Sequence, residues 1–348
     1  MAAFDDIAFD DHERVVFCHD KATGLKAIIA IHSTALGPAA GGTRLWSYAS
    51  DDDALHDVLR LARGMSYKNA MAGLKFGGGK GVIIRTPDFE PGEALFARYG
   101  EFVNQLNGDY VTAEDVGMKV EYMDMIARKT KFVAGVSAVE GKAGGDPSPK
   151  TSFGIFKGIE AAVQFKLGKD SVSGLQIAVQ GVGNVGYHLC KFLHDAGASL
   201  VVADIDEDRI RRVADQFGAR AVALDELLVQ EVDVLAPCAL GAIFNERSIP
   251  ALNTSILAGG ANNQLETPED GHRLHDAGIL YAPDYVINGG GIINVASEYY
   301  GDLTDDEIWS RIARIGPRLT RIFNESAASD RPTNVIADQQ AEAIIEAV

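Results

Sequence analysis

LQIAVQGVGNVG (Leu175–Gly186) is an apolar, strand-like run that stops at a glycine-rich turn and continues as a helix-like stretch. The turn Gly181-Val182-Gly183-Asn184-Val185-Gly186 is a GxGxxG. Six-residue glycine patterns are weak evidence alone, but this one sits between a strand and a helix, the context its chemistry requires. Gly181 permits the tight turn, Gly183 lets backbone approach a pyrophosphate, and Gly186 lets the helix pack closely on the strand. The amides of the helix N-terminus then face the phosphates. Asp204 closes the next strand-like run 23 residues after Gly181, where a carboxylate accepts a ribose 2′-hydroxyl and repels a 2′-phosphate. The reading is NAD rather than NADP, although Arg209, Arg211 and Arg212 lie close by.

Around this unit, helix and strand alternate, as in a doubly wound parallel sheet. The patterning predicts a helix over Phe153–Phe165, a strand over Gln176–Gln180, a helix over Val185–Ala196 and a strand over Leu200–Asp204. Short strands follow at Val232–Leu235, Ser255–Ala258 and Ile279–Ala282, then a helix across Asp306–Phe323 kinked at Pro317, and a last helix from Asn334. Upstream the organisation differs. Strands are expected at Val15–Cys18 and Leu25–Ile31, and a helix opened by Asp51–Asp53 carries Leu55, Val58, Leu59, Ala62 and Met65 at helical spacing. Gly77–Gly79 is expected to break the chain before Gly81–Ile84. A helix over Glu93–Leu106 and a strand over Tyr110–Thr112 then lead into a turn at Ala113–Gly117. The run GKAGGDPSP (141–149) reads as a hinge. The expected division is an α/β domain over 1–135 joined by the C-terminal helix 332–348, and a dinucleotide-binding domain over 136–331.

The chain has 348 residues, enough for two domains, and its 47% hydrophobic and 23% charged content is that of a globular protein. With 32 basic and 49 acidic residues the net charge is −17, which disfavours nucleic acid and anionic membranes as partners. No apolar run approaches the ~18 residues that span a bilayer. The acidic start MAAFDDIAFDDHER lacks a secretory signal's basic and apolar regions. Three cysteines without CxxC spacing fit a reduced, cytoplasmic protein. His272 and His275 are three residues apart, but no further ligands complete a metal site, and no metal is expected.

Three residues of the first part carry possible chemistry. Lys68 follows Met65 by three residues, on the inward side of the helix, where a lysine also suits the C-terminal dipole. Lys80 follows three glycines and also reads as a surface lysine. Asp115, in TAEDVG, also reads as a turn carboxylate.

In combination, GPAAGGTR (37–44), RLARGMSYKNAMAGLKFGGGKGVI, YVTAEDVGM, VQGVGNVG, DVLAPCALGA, AGGANNQL and YAPDYVINGGGIINV resemble the amino-acid dehydrogenases acting on glutamate, leucine, phenylalanine and valine. The similarity spans nearly the whole chain and is closest to the leucine-acting branch. It implies NAD-dependent oxidative deamination of an apolar L-amino acid, leucine or a branched-chain relative, to the 2-oxo acid with release of ammonia. A phenylalanine-acting enzyme is the alternative. A hydroxy-acid dehydrogenase and a non-catalytic NAD sensor are the remoter ones.

By resemblance Lys68 holds the substrate carboxylate, Asp115 takes a proton from the ammonium, and Lys80 activates the water that attacks the imine. Thr151, Ala239, Asn262 and Asn288 match positions around the nicotinamide and substrate. Ala40, Gly41, Met65, Ala113, Ile292 and Val295 match the side-chain pocket, which has no cation for a second carboxylate and so disfavours glutamate. The resemblance also implies catalysis between the two domains and a homo-oligomer built on the first.

Overall fold

The computed structural model describes residues 3–86, 89–137, 146–239, 241–301 and 303–348. Contacts divide the chain into two units. The first holds 1–145, 294–304 and 341–348, and the second 146–293 and 305–340. This differs from the division expected from sequence, which left 294–304 with the second unit and gave the whole last helix to the first. Two of the divisions, after Ile293 and after Gln340, fall inside helices, where no loop marks them.

The first unit is built from β1 (Arg14–Asp20), β2 (Leu25–Ser33), β3 (Ala39–Trp46), α1 (Asp51–Ala72), β4 (Gly77–Ile84), α2 (Glu93–Gln105), β5 (Tyr110–Glu114) and α3 (Val120–Ala127). Its sheet runs β1-β2-β4-β3-β5; β1, β2 and β4 pair antiparallel, and β3 pairs parallel with both β4 and β5. Helix α1 starts where the Ser50 hydroxyl accepts the Asp53 amide and three aspartates occupy the first turn. It ends at Gly73, whose φ of 68° is the left-handed conformation glycine adopts without strain. Ala54, Leu55, Val58, Leu59 and Ala62 of α1 pack on Ile28, Ala30, Val82 and Ile84 of the sheet. The other face buries Leu95, Phe96, Tyr99 and Val103 of α2 with Met123 and Ile126 of α3.

Gly77–Gly79 does not break the chain; it opens β4. Glycine is weak in strands, but here its missing side chain is the condition of packing. A Cβ on Gly77 would lie 1.9 Å from the Ser33 carbonyl oxygen, and one on Gly78 would lie 2.1 Å from the Ser66 amide nitrogen on α1. Ala113 and Glu114 likewise belong to β5 rather than to a turn.

The second unit contains α4 (Ser148–Leu167), β6 (Gln176–Gln180), α5 (Asn184–Asp195), β7 (Ser199–Ala203), α6 (Glu207–Phe217), β8 (Arg220–Ala221), α7 (Leu224–Leu227), β9 (Val232–Pro237), β10 (Thr254–Leu257), α8 (Glu269–Asp276), β11 (Leu280–Tyr281) and α9 (Asp284–Ile287). Four further helices complete the chain: α10 (Gly290–Tyr300), α11 (Asp305–Ala313), α12 (Ile315–Ser329) and α13 (Thr333–Glu346). The six-stranded sheet is parallel throughout, in the order β11-β10-β9-β6-β7-β8. Counted from β6 this is 3-2-1-4-5-6, the doubly wound dinucleotide-binding order.

The helix expected across Asp306–Phe323 is two helices parted at Arg314. Pro317 lies in the first turn of α12, where its missing N–H costs nothing, while its ring excludes a continuous helix through residue 313. Of the expected hinge, residues 141–145 lie outside the described residues; Asp146 and Pro147 lead directly into α4.

Candidate active site

Lys80 lies within β4 with the same parity as Val82 and Ile84, so it faces α1. Its side chain is only 6% exposed. A buried ammonium needs a partner, and Lys80 Nζ lies 2.8 Å from Asp115 Oδ2, just past the end of β5. Strand β3 runs between β4 and β5, and the pair bridges it because Gly41 and Gly42 have no side chains. A Cβ on Gly42 would stand 2.8 Å from the Asp115 Cβ, and one on Gly41 would stand 1.9 Å from the Gly79 carbonyl oxygen. Tyr110 OH donates to the Gly41 carbonyl at 2.8 Å, and Asn69 Nδ2 to the carbonyls of Ala40 at 3.2 Å and Gly77 at 2.6 Å.

A second cation meets the same carboxylate. Arg44 Nε donates to Asp115 Oδ2 at 3.1 Å and its Nη1 to Asp57 Oδ2 at 2.9 Å. Burial alone would raise the Asp115 carboxyl, but the charges of Lys80 and Arg44 and their hydrogen bonds outweigh it and hold the pKa at about 2. Arg44 and Asp57 were not singled out in the sequence. Arg44 stands within GPAAGGTR, but only the tertiary fold brings Asp57 and Asp115 to it from 13 and 71 residues away.

The other residues implied for the substrate are distributed as follows. Met65 lies over Gly41, its Cγ 2.9 Å from where a Cβ would stand. Lys68, three residues further along α1, is half-buried. Ala40 and Ala113 are buried on β3 and β5. Ile292 and Val295 are half-buried and three apart on α10, hence on one helix face.

In the second unit Gly181 has a φ of 84°, and a Cβ there would strike Ala239 Cβ at 2.6 Å. These two residues follow β6 and β9, the neighbouring strands at which the chain order reverses, where such sheets bind ligands. A Cβ on Gly186 would stand 1.9 Å from the Gly181 carbonyl oxygen. Among the described residues a Cβ on Gly183 would meet only Arg209 Nη1, at 3.5 Å, so the space above the turn is open. Among the described residues no side chain caps the first-turn amides of α5, which begin at Asn184 and Val185. Asp204 accepts from the Val182 amide at 2.7 Å and the Asp206 amide at 3.0 Å, which fixes the carboxylate beside the turn.

Asn288 Nδ2 donates to Asn262 Oδ1 at 2.8 Å, while Asn288 Oδ1 is buried with no partner among the described residues. Gly290 and Gly291 let α10 approach Thr151, whose Oγ1 would be 2.8 Å from a Cβ on Gly291. An open phosphate turn, a fixed acidic residue after β7 and an orphaned amide oxygen fit a dinucleotide. The groove of about 1000 Å³ in this unit lies at the opposite edge of the sheet, beside Gln176, Val232 and Thr254. The thiol of Cys238, beside Ala239, is pushed up to about 11 by burial, which makes it a poor nucleophile.

A doubly wound sheet with an open phosphate turn, carried on one chain with a buried lysine paired to a half-buried carboxylate, has the build of a nicotinamide-dependent dehydrogenase. Residues 12–132 match the Glu/Leu/Phe/Val dehydrogenase dimerisation domain, and residues 146–208 and 202–335 match the Glutamate/Leucine/Phenylalanine/Valine dehydrogenase domain. The chain is 50% identical to leucine dehydrogenase of Geobacillus stearothermophilus over 336 residues, covering 97% of this chain and 91% of that protein. It is 45% identical to valine dehydrogenase of Streptomyces albus, covering 95% and 91%. The crystal structure of L-tryptophan dehydrogenase from Nostoc punctiforme superimposes with a TM-score of 0.85 at 42% identity, covering 96% of each chain. The chain belongs to the Glu/Leu/Phe/Val dehydrogenase family.

Proposed function

We propose that the chain catalyses the NAD-dependent oxidative deamination of leucine and other branched-chain L-amino acids. The products are the 2-oxo acid, ammonia and NADH. The observation that carries this reading is the ion pair of buried Lys80 with half-buried Asp115 on a sheet cleared by glycines, in a chain half identical to a leucine dehydrogenase.

Lys68 binds the substrate carboxylate. Asp115, held ionised, draws the substrate ammonium to it and carries its proton in transit. A bound NAD would supply the acceptor for the hydride that leaves the substrate Cα. The substrate is left as an imine; Lys80 orients the water that attacks it and hydrogen-bonds the oxygen that becomes the 2-oxo group. Ammonia then leaves. The amides after Gly183 would hold the pyrophosphate, Asp204 the ribose hydroxyls, and Thr151, Ala239, Asn262 and Asn288 the nicotinamide end and the substrate. The first unit acts as the substrate half and the second as the dinucleotide half. Within the first unit Ala40, Gly41, Met65, Ala113 and Val295 supply an apolar side-chain site.

Aromatic amino acids are the second reading. It is favoured by the small Ala40 and by the likeness to a tryptophan dehydrogenase. The test is NADH formation with leucine, valine, isoleucine, phenylalanine, tryptophan and glutamate, repeated with NADP. The highest kcat/KM is expected for leucine with NAD. Activity confined to glutamate, or none with any amino acid, overturns the reading.

The protein acts as a homo-oligomer. Strand β1 is a sheet edge with Phe17 64% exposed, a surface suited to a second copy and a hazard if left bare. Three free thiols at Cys18, Cys190 and Cys238 suit the reducing cytoplasm. Among the described residues no helix is long and apolar enough to cross a membrane.

A further inference from the structure

We propose that Arg44 is a positioning residue for Asp115, and that Asp57 in turn positions Arg44. The line Asp57–Arg44–Asp115–Lys80 pins one carboxylate oxygen of Asp115 and presents the other to the substrate ammonium. This deepens the reading above and rests on it.

Both cations reach the same atom. Lys80 Nζ is 2.8 Å and Arg44 Nε is 3.1 Å from Asp115 Oδ2. Among the described residues nothing donates to Oδ1. A carboxylate held through one oxygen by donors from two strands has little rotational freedom, so the direction of its second oxygen is set before substrate arrives. Arg44 performs this role because its fork is itself fixed: Nη1 is bound by Asp57 Oδ2 at 2.9 Å. Asp57, on α1, is held by Tyr48 OH at 2.7 Å on Oδ2 and by Arg60 Nη2 at 3.0 Å on Oδ1. Arg44 and Asp57 side chains are 21% and 17% exposed, so water competes weakly for these bonds. A guanidinium can bridge two carboxylates from two of its nitrogens, whereas an ammonium on a flexible stem cannot hold the same geometry.

The charged and titratable groups facing Asp115 are Lys80 on β4, Arg44 on β3 and the buried Tyr110 phenol on β5. Those facing Arg44 are Asp115, Asp57 on α1 and Tyr48. Removing the arginine charge leaves Asp115 with one cation instead of two, which eases its protonation. Removing only Asp57 keeps the arginine charge and loosens its position.

The experiment uses the full-length protein and the variants Arg44→Gln, Arg44→Lys and Asp57→Asn. Each is measured for kcat and KM with leucine across pH, for NADH binding by fluorescence, and for thermal unfolding. Asp57→Asn is expected to lower kcat about tenfold with KM for leucine nearly unchanged, although Asp57 touches neither Lys80 nor the substrate. Arg44→Gln is expected to lower kcat further and to move the acidic limb of kcat/KM to higher pH. Arg44→Lys should restore that limb but only part of kcat. NADH binding should be unchanged in all three.

Folded variants that keep the wild-type kcat and pH profile overturn the proposal. Loss of the fold in both Arg44→Gln and Asp57→Asn also overturns it, in favour of a purely structural role. If the wild-type protein forms no NADH from any amino acid, the failure belongs to the proposed function instead.

Discussion

Replacing Gly78 by alanine tests whether the glycines of β4 place Lys80. The added Cβ would stand 2.1 Å from both the backbone nitrogen and the Oγ of Ser66, and 2.5 Å from its Cα. Real Cβ atoms essentially never approach closer than 3.0 Å, and the obstacle here is helix backbone, which cannot rotate aside. Helix α1 must therefore retreat from β4 by about 1 Å. Overpacking of this kind costs about 1–3 kcal/mol, which for a chain of this size lowers Tm by roughly 1–4 °C. Ser66 stands between Met65 and Lys68, and Gly78 two residues before Lys80, so the retreat pulls the two lysines apart. A displacement of ~1 Å in reacting groups costs ~100-fold in rate. Gly78→Ala is thus expected to lose about two orders of magnitude in kcat/KM for leucine. NADH affinity, a property of the second unit, should hold. The assay pairs NADH formation with thermal unfolding and fluorescence titration of NADH. A variant with wild-type Tm and kcat/KM would refute the claim that this contact sets the site.

Three further outcomes are expected. The folded Asp115 carboxyl titrates at about 2 against an ordinary 3.8; its depressed pKa contributes about 2 kcal/mol that is present above pH 4 and lost as pH falls toward 2. In Asp115→Asn that part of the acid dependence of unfolding should vanish, and kcat should fall at least ~100-fold. Asp204→Ala removes the acceptor of the Val182 and Asp206 amides and should weaken NADH binding tenfold or more by fluorescence titration, with leucine KM at saturating NAD nearly unchanged. Ala40→Leu adds three carbons at a buried position and should reduce kcat/KM for phenylalanine far more than for valine; equal losses would remove Ala40 from the side-chain site.

The second unit was legible because its signals are local. Gln176–Gln180 is apolar within and ended by a glycine that needs positive φ, and the strand falls where the pattern puts it. The first unit was legible in its helices and not in its glycine-rich strands. AAGGTRLW forms β3 and GGGKGVII forms β4, yet neither alternates, because what holds them is pairing with distant strands and the close approach of α1. The family resemblance marked Lys80 and Asp115 individually; that they meet at 2.8 Å depends on three strands lying side by side. Arg44 and Asp57 escaped notice for the same reason. Each reads alone as an ordinary surface charge, and only the fold turns them into a line of alternating sign.

The absence of side chains along Gly41 and Gly42 has a practical consequence for remodelling substrate preference. A designer seeking to alter side-chain preference would naturally randomise four neighbouring codons on β3. Two of them are closed. A methyl group at Gly41 collides with the Gly79 carbonyl, and one at Gly42 with the Glu114 carbonyl and with Asp115 itself. Thr43 is tied into a buried hydroxyl chain with Tyr99 and Thr112. Mutant libraries on this strand therefore have one open handle, Ala40, a buried alanine whose neighbours Gly41, Gly42 and Thr43 leave no room for change.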